Sequence, residues 1–412
     1  MSRVDPPLSV GARSSRTGAT AARWAVTVMF GVNGLVIASL AVRTPSLQQD
    51  LQLTTGQLGL LSALFGLTAV GTMQIAGSLT VRFGSRSLVR AASVVQPVLL
   101  LGMGVAPDFV TLAAVQMMLG AVVGLLDVSV NAHAVTVERA LGRPIMNGCH
   151  AAWSLGSVSG ALLGAGAAHI GLSRGVHYVF LTAVLVPFIV VIGRLLLPAA
   201  GEPTGARPGA RTTWRTGWSR PVLVLGAMGA IALTAEAAVI NWSGVFLHER
   251  QATLGVAGLG YAAFAVCQTS VRLIGDSILV RTSAAVMLRL GAGLTAAGLT
   301  VVVVSPWVAL VVAGFALMGL GLATCLPVLY SVVGHLGADR ESGSEPGADA
   351  GAAAMVARFT TMTYAGILLA PAVIGWVADV VGLTWTLAAI IPLLVAVAYA
   401  ARTVTANPVP AK

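Results

Sequence analysis

Twelve apolar stretches, each long enough to cross a lipid bilayer as a helix, recur along the chain of 412 residues. A spanning helix needs about 20 mostly apolar residues, a length set by the thickness of the hydrocarbon core. The predicted spans are residues 22–42, 56–80, 88–106, 109–133, 146–169, 176–197, 221–245, 256–280, 286–305, 307–334, 351–377 and 383–401. The pattern predicts an all-α membrane protein with twelve transmembrane helices.

The composition argues against a water-soluble fold. Of all residues, 57% are hydrophobic and 9% are charged, whereas soluble proteins carry roughly a quarter charged residues. The net charge of +10 is a feature of many nucleic-acid-binding proteins. Here the arginines lie in short loops between the apolar stretches and not on one face or in one tail, so a lipid bilayer is the expected partner and a nucleic acid is not.

The arginines alternate between the two sides of the predicted membrane. Those on one side are Arg82, Arg86, Arg90, Arg139, Arg143, Arg194, Arg207, Arg211, Arg215 and Arg220. The opposite side carries Arg43, Arg174 and Arg250. Because basic loops stay in the cytoplasm, we expect a multi-pass protein of the cytoplasmic (inner) membrane, with both termini and the central loop in the cytoplasm.

A stretch rich in Gly, Pro, Thr and Arg divides the spans into two groups of six. Such a composition buries too little apolar surface to pack, so residues 198–220 are predicted to form a cytoplasmic linker. The predicted organisation is a cytoplasmic tail (1–21), an N-terminal six-helix bundle (22–197), the linker, a C-terminal six-helix bundle (221–402) and a second cytoplasmic tail (403–412). The two bundles echo each other: 117–120 (MMLG) matches 316–319 (ALMG), and 81–82 matches 280–281, both VR. Such echoes indicate duplication of one fold.

Residues 77–86 read GSLTVRFGSR, between the second and third spans. This segment resembles the signature of the major facilitator superfamily, Gly-x-Leu-x-Asp-Arg-x-Gly-Arg-Arg. The matching residues, for which the resemblance implies a structural or gating role, are Gly77, Arg82, Gly84 and Arg86. Val81 replaces the acid that makes an interhelical charge contact in the family. The resemblance implies the major facilitator fold, with two pseudo-symmetric bundles of six helices.

Two further segments are similar to the YbjJ-like bacterial inner-membrane branch of this superfamily, which is related to the fucose permeases. They are residues 139–156 (RALGRPIMNGCHAAWSLG) and 239–247 (VINWSGVFL). Residues 124–131 (GLLDVSVN) resemble the fucose-permease pattern of an acid followed one turn later by Asn. Fucose permeases carry a protonatable acid near the outer end of the first helix, where this chain has Ala41, and the antiporter signature Gly-Pro is absent from 156–166. Substrate and direction of transport therefore stay open.

Among the charged side chains within the predicted spans, five stand out as candidates: Asp127, Glu236, Arg272, Asp276 and Arg358. A charge at the bilayer centre costs about 2.5–3.5 kcal/mol on insertion scales, so each one requires a cavity, a partner or a function.

Asp127, Asn131 and His150 are predicted to line one wall of a cavity. Asp127 and Asn131 lie four residues apart on the fourth span and share a face. Counted from the short loop between the fourth and fifth spans, Asn131 and His150 reach the same depth, with Asp127 one turn deeper. The functional interpretation is a substrate and proton site, because a carboxylate in a partly dry cavity is able to take up a proton near neutral pH. The alternative is a hydrogen-bonded structural cluster.

Glu236, Asn241 and Trp242 on the seventh span form a second candidate group. The resemblance implies that this helix faces the central cavity. Trp242 offers a ring for an apolar or sugar face, and Asn241 offers donors and acceptors. The alternative for Trp242 is an anchor at the membrane interface.

Gln268, Arg272 and Asp276 repeat every fourth residue on the eighth span, so Arg272 and Asp276 are predicted to neutralise each other as a structural ion pair. Gln268 is placed among the candidate substrate residues. Three roles are open for Arg358: it reaches an acid on another helix, extends to the cytoplasmic surface, or holds an anionic group of the substrate.

The leading functional hypothesis is a secondary transporter, which moves a sugar-like or other small polar metabolite inward together with protons. Proton-driven efflux of a drug or secondary metabolite is the alternative, and a non-transporting membrane sensor or scaffold is the alternative of another class. We expect no enzyme, because neither a His-Glu-x-x-His motif nor a Ser/His/Asp group is visible. No cofactor and no metal are expected, since Cys149, Cys267 and Cys325 lie singly. The predicted partners are a small-molecule substrate and protons, and the chain is expected to be monomeric.

Overall fold

A computed structural model describes residues 10–53, 55–198, 217–252, 256, 259–342 and 351–404. Regular structure in these ranges is helical and includes no strand. The helices are α1 (Val10–Val42), α2 (Thr44–Asp50), α3 (Thr55–Phe83), α4 (Ser85–Val105), α5 (Phe109–Leu141), α6 (Met146–His169), α7 (Arg174–Ile192), α8 (Arg220–Glu249), α9 (Leu259–Leu279), α10 (Ala284–Val304), α11 (Val308–Leu322), α12 (Cys325–Ser342), α13 (Gly351–Val381), α14 (Leu383–Ala388) and α15 (Ile390–Ala400).

The twelve predicted spans correspond to these helices. The tenth span comprises α11 and α12, the twelfth comprises α14 and α15, and the short α2 was not predicted. By length and composition, 10 spans in the described ranges are able to cross a membrane; α6 and α9 are not among them. These two helices carry His150, Arg272 and Asp276, which lower their hydropathy. The predicted all-α architecture is confirmed.

Two predicted boundaries are not matched by described helix ends. The fourth span was predicted to end at residue 133, whereas α5 continues to Leu141. This extension contains the polar residue Glu138, which is only 1% exposed, so a hydropathy criterion ends the helix too early. Most of the predicted linker, residues 199–216, lies outside the described residues.

The outer surface of the helices is apolar. Leu67, Trp376 and Val380 are 71%, 77% and 83% exposed. A monomeric soluble protein rarely leaves so many large apolar side chains in water. Contact with lipid explains this surface, because hydrocarbon chains are as apolar as the side chains.

The same close helix contact occurs in both halves of the chain. In the first half (α1–α7), Gly120 of α5 packs against the carbonyl of Phe65 on α3. In the second half (α8–α15), Gly319 of α11 packs against the carbonyl of Phe264 on α9. Small residues let backbones approach closely where lipid supplies no hydrophobic drive for association. The predicted echo between the halves therefore corresponds to a repeated packing contact.

The two halves meet at the end of the molecule where α7 finishes and α8 begins, which we call the linker end. There, Gly77 of α3 lies so close to α13 that an added Cβ would be 2.9 Å from the Ala354 Cα. Gly334 of α12 packs against Val135 of α5. Contacts between the halves continue to about the middle of the helices, where Gly66 faces Leu368.

Candidate functional site

Asp127 lies on the boundary between the two halves. Its carboxylate belongs to α5, and the Tyr330 hydroxyl of α12 donates to its Oδ2 at 3.4 Å. Tyr364 of α13 also interacts electrostatically with the Asp127 carboxylate. Asp127 is half-buried, not sealed. The carboxylate therefore borders accessible space and holds tyrosines of the opposite half.

Aromatic packing fixes the Tyr330 hydroxyl in place. The Tyr330 ring meets Phe359 edge-on, with centroids 4.8 Å apart, and its oxygen is 3.1 Å from the Thr360 hydroxyl. His150 of α6 stacks on the same ring, with centroids 5.8 Å apart, and its ring centroid lies 5.3 Å from that of Phe30 on α1. The structure thus brings Asp127 and His150 to one tyrosine, which the sequence did not identify.

Asn131 does not border the same space as the Asp127 carboxylate. Its side chain is 0% exposed, and its amide donates to the Asp127 carbonyl of its own helix at 2.8 Å. The Asn131 side chain therefore bonds to the backbone of its own helix inside the protein. This corrects its predicted place on a cavity wall. The four-residue spacing gave a shared helix face, but not equal access to the cavity.

Arg272 pairs with Glu236 and not with Asp276, so the predicted ion pair along α9 is wrong. Arg272 Nη2 lies 3.9 Å from Glu236 Oε1 on α8. Arg272 also donates to the Ser154 hydroxyl at 2.9 Å and to the Ala323 carbonyl at 3.1 Å. Because α9 is flanked by other helices, each of its charged side chains finds a partner on a neighbouring helix.

Asp276 binds the first turn of α6. Its carboxylate accepts hydrogen bonds from the backbone N–H groups of Asn147 at 3.0 Å and Gly148 at 2.9 Å, and from the Asn147 side-chain amide at 3.0 Å. The first N–H groups of a helix have no partner within the helix and carry a partial positive charge. Asp276 satisfies them from the opposite half and so joins the halves at the linker end.

Glu138 binds the same helix start and was missed by sequence reasoning. It accepts hydrogen bonds from the backbone of Ile145 at 2.8 Å and Met146 at 3.4 Å. The Ser331 hydroxyl of α12 also donates to it, and His335 Nδ1 lies 3.8 Å away. The available signal was Gly142, whose φ of +62 ends α5 in the left-handed conformation. A helix extended to this glycine would have included Glu138.

Arg358 of α13 reaches across to α3. Its guanidinium donates to the Gln74 side chain at 2.6 Å and to the Gln74 carbonyl at 3.1 Å, and it lies over the Trp218 ring at 5.6 Å. Gln74 in turn donates to Thr361 at 2.8 Å. Arg358 is 4% exposed, so its described contacts join the halves beside the Gly77 interface.

The remaining substrate candidates lie apart from Asp127 in the described contacts. Asn241 is exposed and donates to the Ala237 carbonyl at 2.8 Å. Trp242 packs near Gly375 of α13 and lines a cleft of about 550 Å³ at the end opposite the linker. Gln268 is 6% exposed, and its amide nitrogen has no hydrogen-bond partner among the described residues.

The residues of the signature segment form the turn between α3 and α4. Gly84 adopts a φ of +77 between the two helices, a conformation that favours glycine. Arg86 donates to the Arg194 carbonyl at 2.9 Å, while the exposed Arg82 lies over the Phe83 ring at 5.1 Å. With Gly77 packed on α13, the segment shapes the linker end of the first half.

Comparison with known proteins places this architecture in a family. The model of the Major Facilitator Superfamily matches residues 25–354. An uncharacterised MFS-type transporter of Yersinia pestis is 30% identical over 377 residues, covering 91% of this chain and 94% of the relative. The crystal structure of the E. coli fucose:proton symporter FucP matches with a TM-score of 0.74 at 14% identity, covering 93% of this chain and 98% of that one. A FucP structure in the outward conformation matches with a TM-score of 0.75, at the same identity and coverage. The chain belongs to the major facilitator superfamily and is a multi-pass membrane transporter.

Proposed function

We propose that the protein is a proton-coupled secondary transporter, in which Asp127 carries the proton and the two halves alternately expose a central site. The observation that supports this most is the position of Asp127. A half-buried carboxylate in one half accepts a hydrogen bond from Tyr330 and interacts electrostatically with Tyr364, both of the other half. Among the described residues, no Lys, Arg or His forms an ion pair with it.

Protonation of Asp127 changes the contact between the halves. A carboxylate accepts hydrogen bonds only, whereas a protonated carboxyl group also carries a donor. The tyrosine hydroxyls must then reorganise, so the proton binds one arrangement of the halves more strongly than the other. A ligand shifts a conformational equilibrium by this difference in affinity. Proton binding and alternating access are thereby coupled at one residue.

The substrate is expected beside the Asp127 carboxylate, near the polar group formed by Glu236, Arg272 and Ser154. Glu236 offers an acceptor and His150 a ring face, and both are only half-buried. The buried Arg272 pairs with Glu236 and donates to Ser154, which adds a cation and a hydroxyl behind them. Such a mixture suits a small polar molecule with several hydroxyl or amino groups. A sugar-like metabolite is the class we propose, consistent with the fold shared with a fucose:proton symporter.

We also propose the orientation. The arginine-rich loops lie at the linker end, so this end and both termini face the cytoplasm of the bacterial inner membrane. The halves are in contact at that end through Gly77, Asp276 and Glu138. The structure then represents a state closed to the cytoplasm. A monomer suffices for this mechanism.

The experiment is a transport screen in proteoliposomes that contain an internal pH dye. A panel of monosaccharides, polyols, amino sugars and organic acids is added outside, under no imposed gradient. We expect at least one polar compound to evoke proton movement with the wild type. The Asp127→Asn variant should lose this movement, since an amide does not titrate.

Asp108→Asn is the matched control on the same helix. Asp108 is exposed at the start of α5, and the Thr111 backbone N–H holds the pKa of this carboxyl below its ordinary value. Asn is an equally good helix cap, so proton movement should persist. Equal signals from wild type and Asp127→Asn would reject Asp127 as the proton carrier.

A further inference from the structure

A cluster of basic side chains lies at the end of the first half opposite the linker. It consists of Arg43, Arg174 and His177, which we call the basic cluster. Arg43 follows the end of α1, and Arg174 is the first residue of α7. Both stand where apolar spans end, Gly18–Ala41 and Arg174–Leu195. The cluster is therefore at the level of the membrane boundary.

The three side chains are buried although they are basic. Arg43, Arg174 and His177 are 3%, 7% and 5% exposed. Arg43 donates one hydrogen bond, from Nη2 to the Leu172 carbonyl at 2.7 Å. Among the described residues, ion pairing of the cluster is confined to Asp50, whose Oδ2 lies 3.8 Å from Arg174 Nε. The Asp50 side chain is 53% exposed, so the carboxylate faces solvent more than it faces the cluster.

Several buried nitrogen atoms of the cluster have no hydrogen-bond partner among the described residues. They are Nε of Arg43, Nε and Nη1 of Arg174, and both ring nitrogens of His177. A buried donor without a partner costs about 1–3 kcal/mol, and more when it is charged. These groups are also near one another, since Arg43 donates to the carbonyl of Leu172, two residues before Arg174, and His177 follows Arg174 in the first turn of α7. The cluster therefore holds more buried positive charge than the neighbouring described residues neutralise.

We propose that the basic cluster binds a phosphate group at the end of the first half opposite the linker. Phosphate matches the cluster because it is a compact anion with several acceptor oxygens, and guanidinium groups bind it with paired N–H donors. At neutral pH, His177 supplies one further N–H. The phosphate comes either from a lipid headgroup, which lies at this depth in a bilayer, or from free phosphate in solution.

The site is separate from the proposed transport site. It is built from the loop side of α1 and α7, whereas Asp127 and its tyrosines lie at the middle of the boundary between the halves. Phosphate binding here does not require that the protein transports protons. Failure of either proposal therefore leaves the other standing.

The test measures the thermal unfolding midpoint of the full-length protein. Purified protein is kept in a maltoside detergent that carries no phosphate, and either phosphatidylglycerol or inorganic phosphate is titrated into separate samples. A ligand that binds only the folded protein raises the midpoint as its concentration exceeds the dissociation constant. We expect a rise of several degrees with phosphatidylglycerol or with inorganic phosphate.

The variants are Arg174→Gln and, as a matched loss of one positive charge, Arg281→Gln. Arg281 is exposed at the opposite end of the molecule. Arg174→Gln should raise the half-saturating ligand concentration by about tenfold or more, because it removes a charged donor. Arg281→Gln should leave the rise of the unfolding midpoint intact. If Arg174→Gln is not monodisperse, Arg43→Gln replaces it under the same criteria.

The outcomes separate the two sources. A rise confined to phosphatidylglycerol and lost in Arg174→Gln supports a lipid headgroup, and a rise with inorganic phosphate that is lost in Arg174→Gln supports a soluble anion. No rise in the wild type, or an equal rise in the wild type and the cluster variant, would overturn the proposal.

Discussion

The Asp276 carboxylate of the second half accepts a hydrogen bond from the backbone N–H of Asn147 in the first half at 3.0 Å. The family signature places an acid in the turn after the second span, but here that position is Val81. Asp276 lies near the end of α9, close to the corresponding turn of the second half, which repeats the same Val-Arg pair at 280–281. Asp276 of the second half thus contacts the start of a helix in the first half. The signature segment of the first half has no acid at position 81 with which to make a contact of this kind.

Replacing Asp276 should loosen the first turn of α6. Asp276→Ala removes three hydrogen bonds to Asn147 and Gly148, and a hydrogen bond to a charged group contributes about 1.5–3 kcal/mol. We expect amide hydrogen exchange of residues 146–150 to accelerate by about tenfold or more. Asp108→Asn, far from this turn, should leave the exchange unchanged. If the amides of Asp276→Ala exchange as slowly as those of the wild type, the Asp276 contact does not hold the two halves together at the linker end.

A side chain at Gly77 should force the halves apart. Its Cβ would lie 2.9 Å from the Ala354 Cα and 3.1 Å from the Ala353 carbonyl oxygen. Overpacking of this kind costs about 1–3 kcal/mol, so Gly77→Val should lower the unfolding midpoint and speed exchange at the start of α13. Gly71→Val on the same helix is the control, since no atom lies within 4 Å of its added Cβ. Equal effects of the two variants would contradict the contact.

The span pattern was predictable because the bilayer fixes the length and the polarity of each helix. The same criterion ended α5 before Glu138, since buried polar residues lower the hydropathy of a helix that nevertheless continues. Partners across helices were not predictable. Arg272 and Asp276 share a stripe on α9, but the choice of Glu236 as partner depends on how α8 and α9 are rotated against each other.

The central site was also predictable only in part. Sequence spacing predicted that Asn131 and His150 lie at the same depth, with Asp127 one turn deeper. The structure places Asp127 and His150 beside Tyr330. Tyr330 itself gave no sequence signal, because one tyrosine in an apolar helix is ordinary. Asn131 met the spacing rule but lies completely buried. Helix periodicity therefore identifies a face, and neighbouring helices decide which part of that face stays accessible.

Glu236 and Arg272 should behave as a coupled pair. Arg272→Gln leaves Glu236 mostly buried without its cation, and breaking a buried pair costs about 3–5 kcal/mol. Glu236→Gln should cost less, because Arg272 keeps Ser154 and the Ala323 carbonyl. The double variant should be more stable than the sum of the single losses predicts. Chemical denaturation of all four proteins measures this, and additive losses would show that the two side chains do not interact.

Close packing of α1 and α6 should depend on Gly156. An added methyl group would collide with the Gly31 carbonyl, so Gly156→Ala must separate the helices. We expect a loss of about 1–3 kcal/mol in unfolding free energy. Gly166→Ala lies on the same helix with no atom within 4 Å of its Cβ and should be neutral. A neutral Gly156→Ala would show that the helices approach less closely than described.

The central claim is that Asp127 couples proton movement to alternating access. The most direct measurement compares accumulation with exchange of the labelled compound that the transport screen identifies, in proteoliposomes of wild type and Asp127→Asn. We predict that the wild type accumulates the compound under an imposed pH gradient, whereas Asp127→Asn exchanges it across the membrane at equal concentrations but no longer accumulates it. Accumulation by Asp127→Asn at the wild-type level would contradict the account.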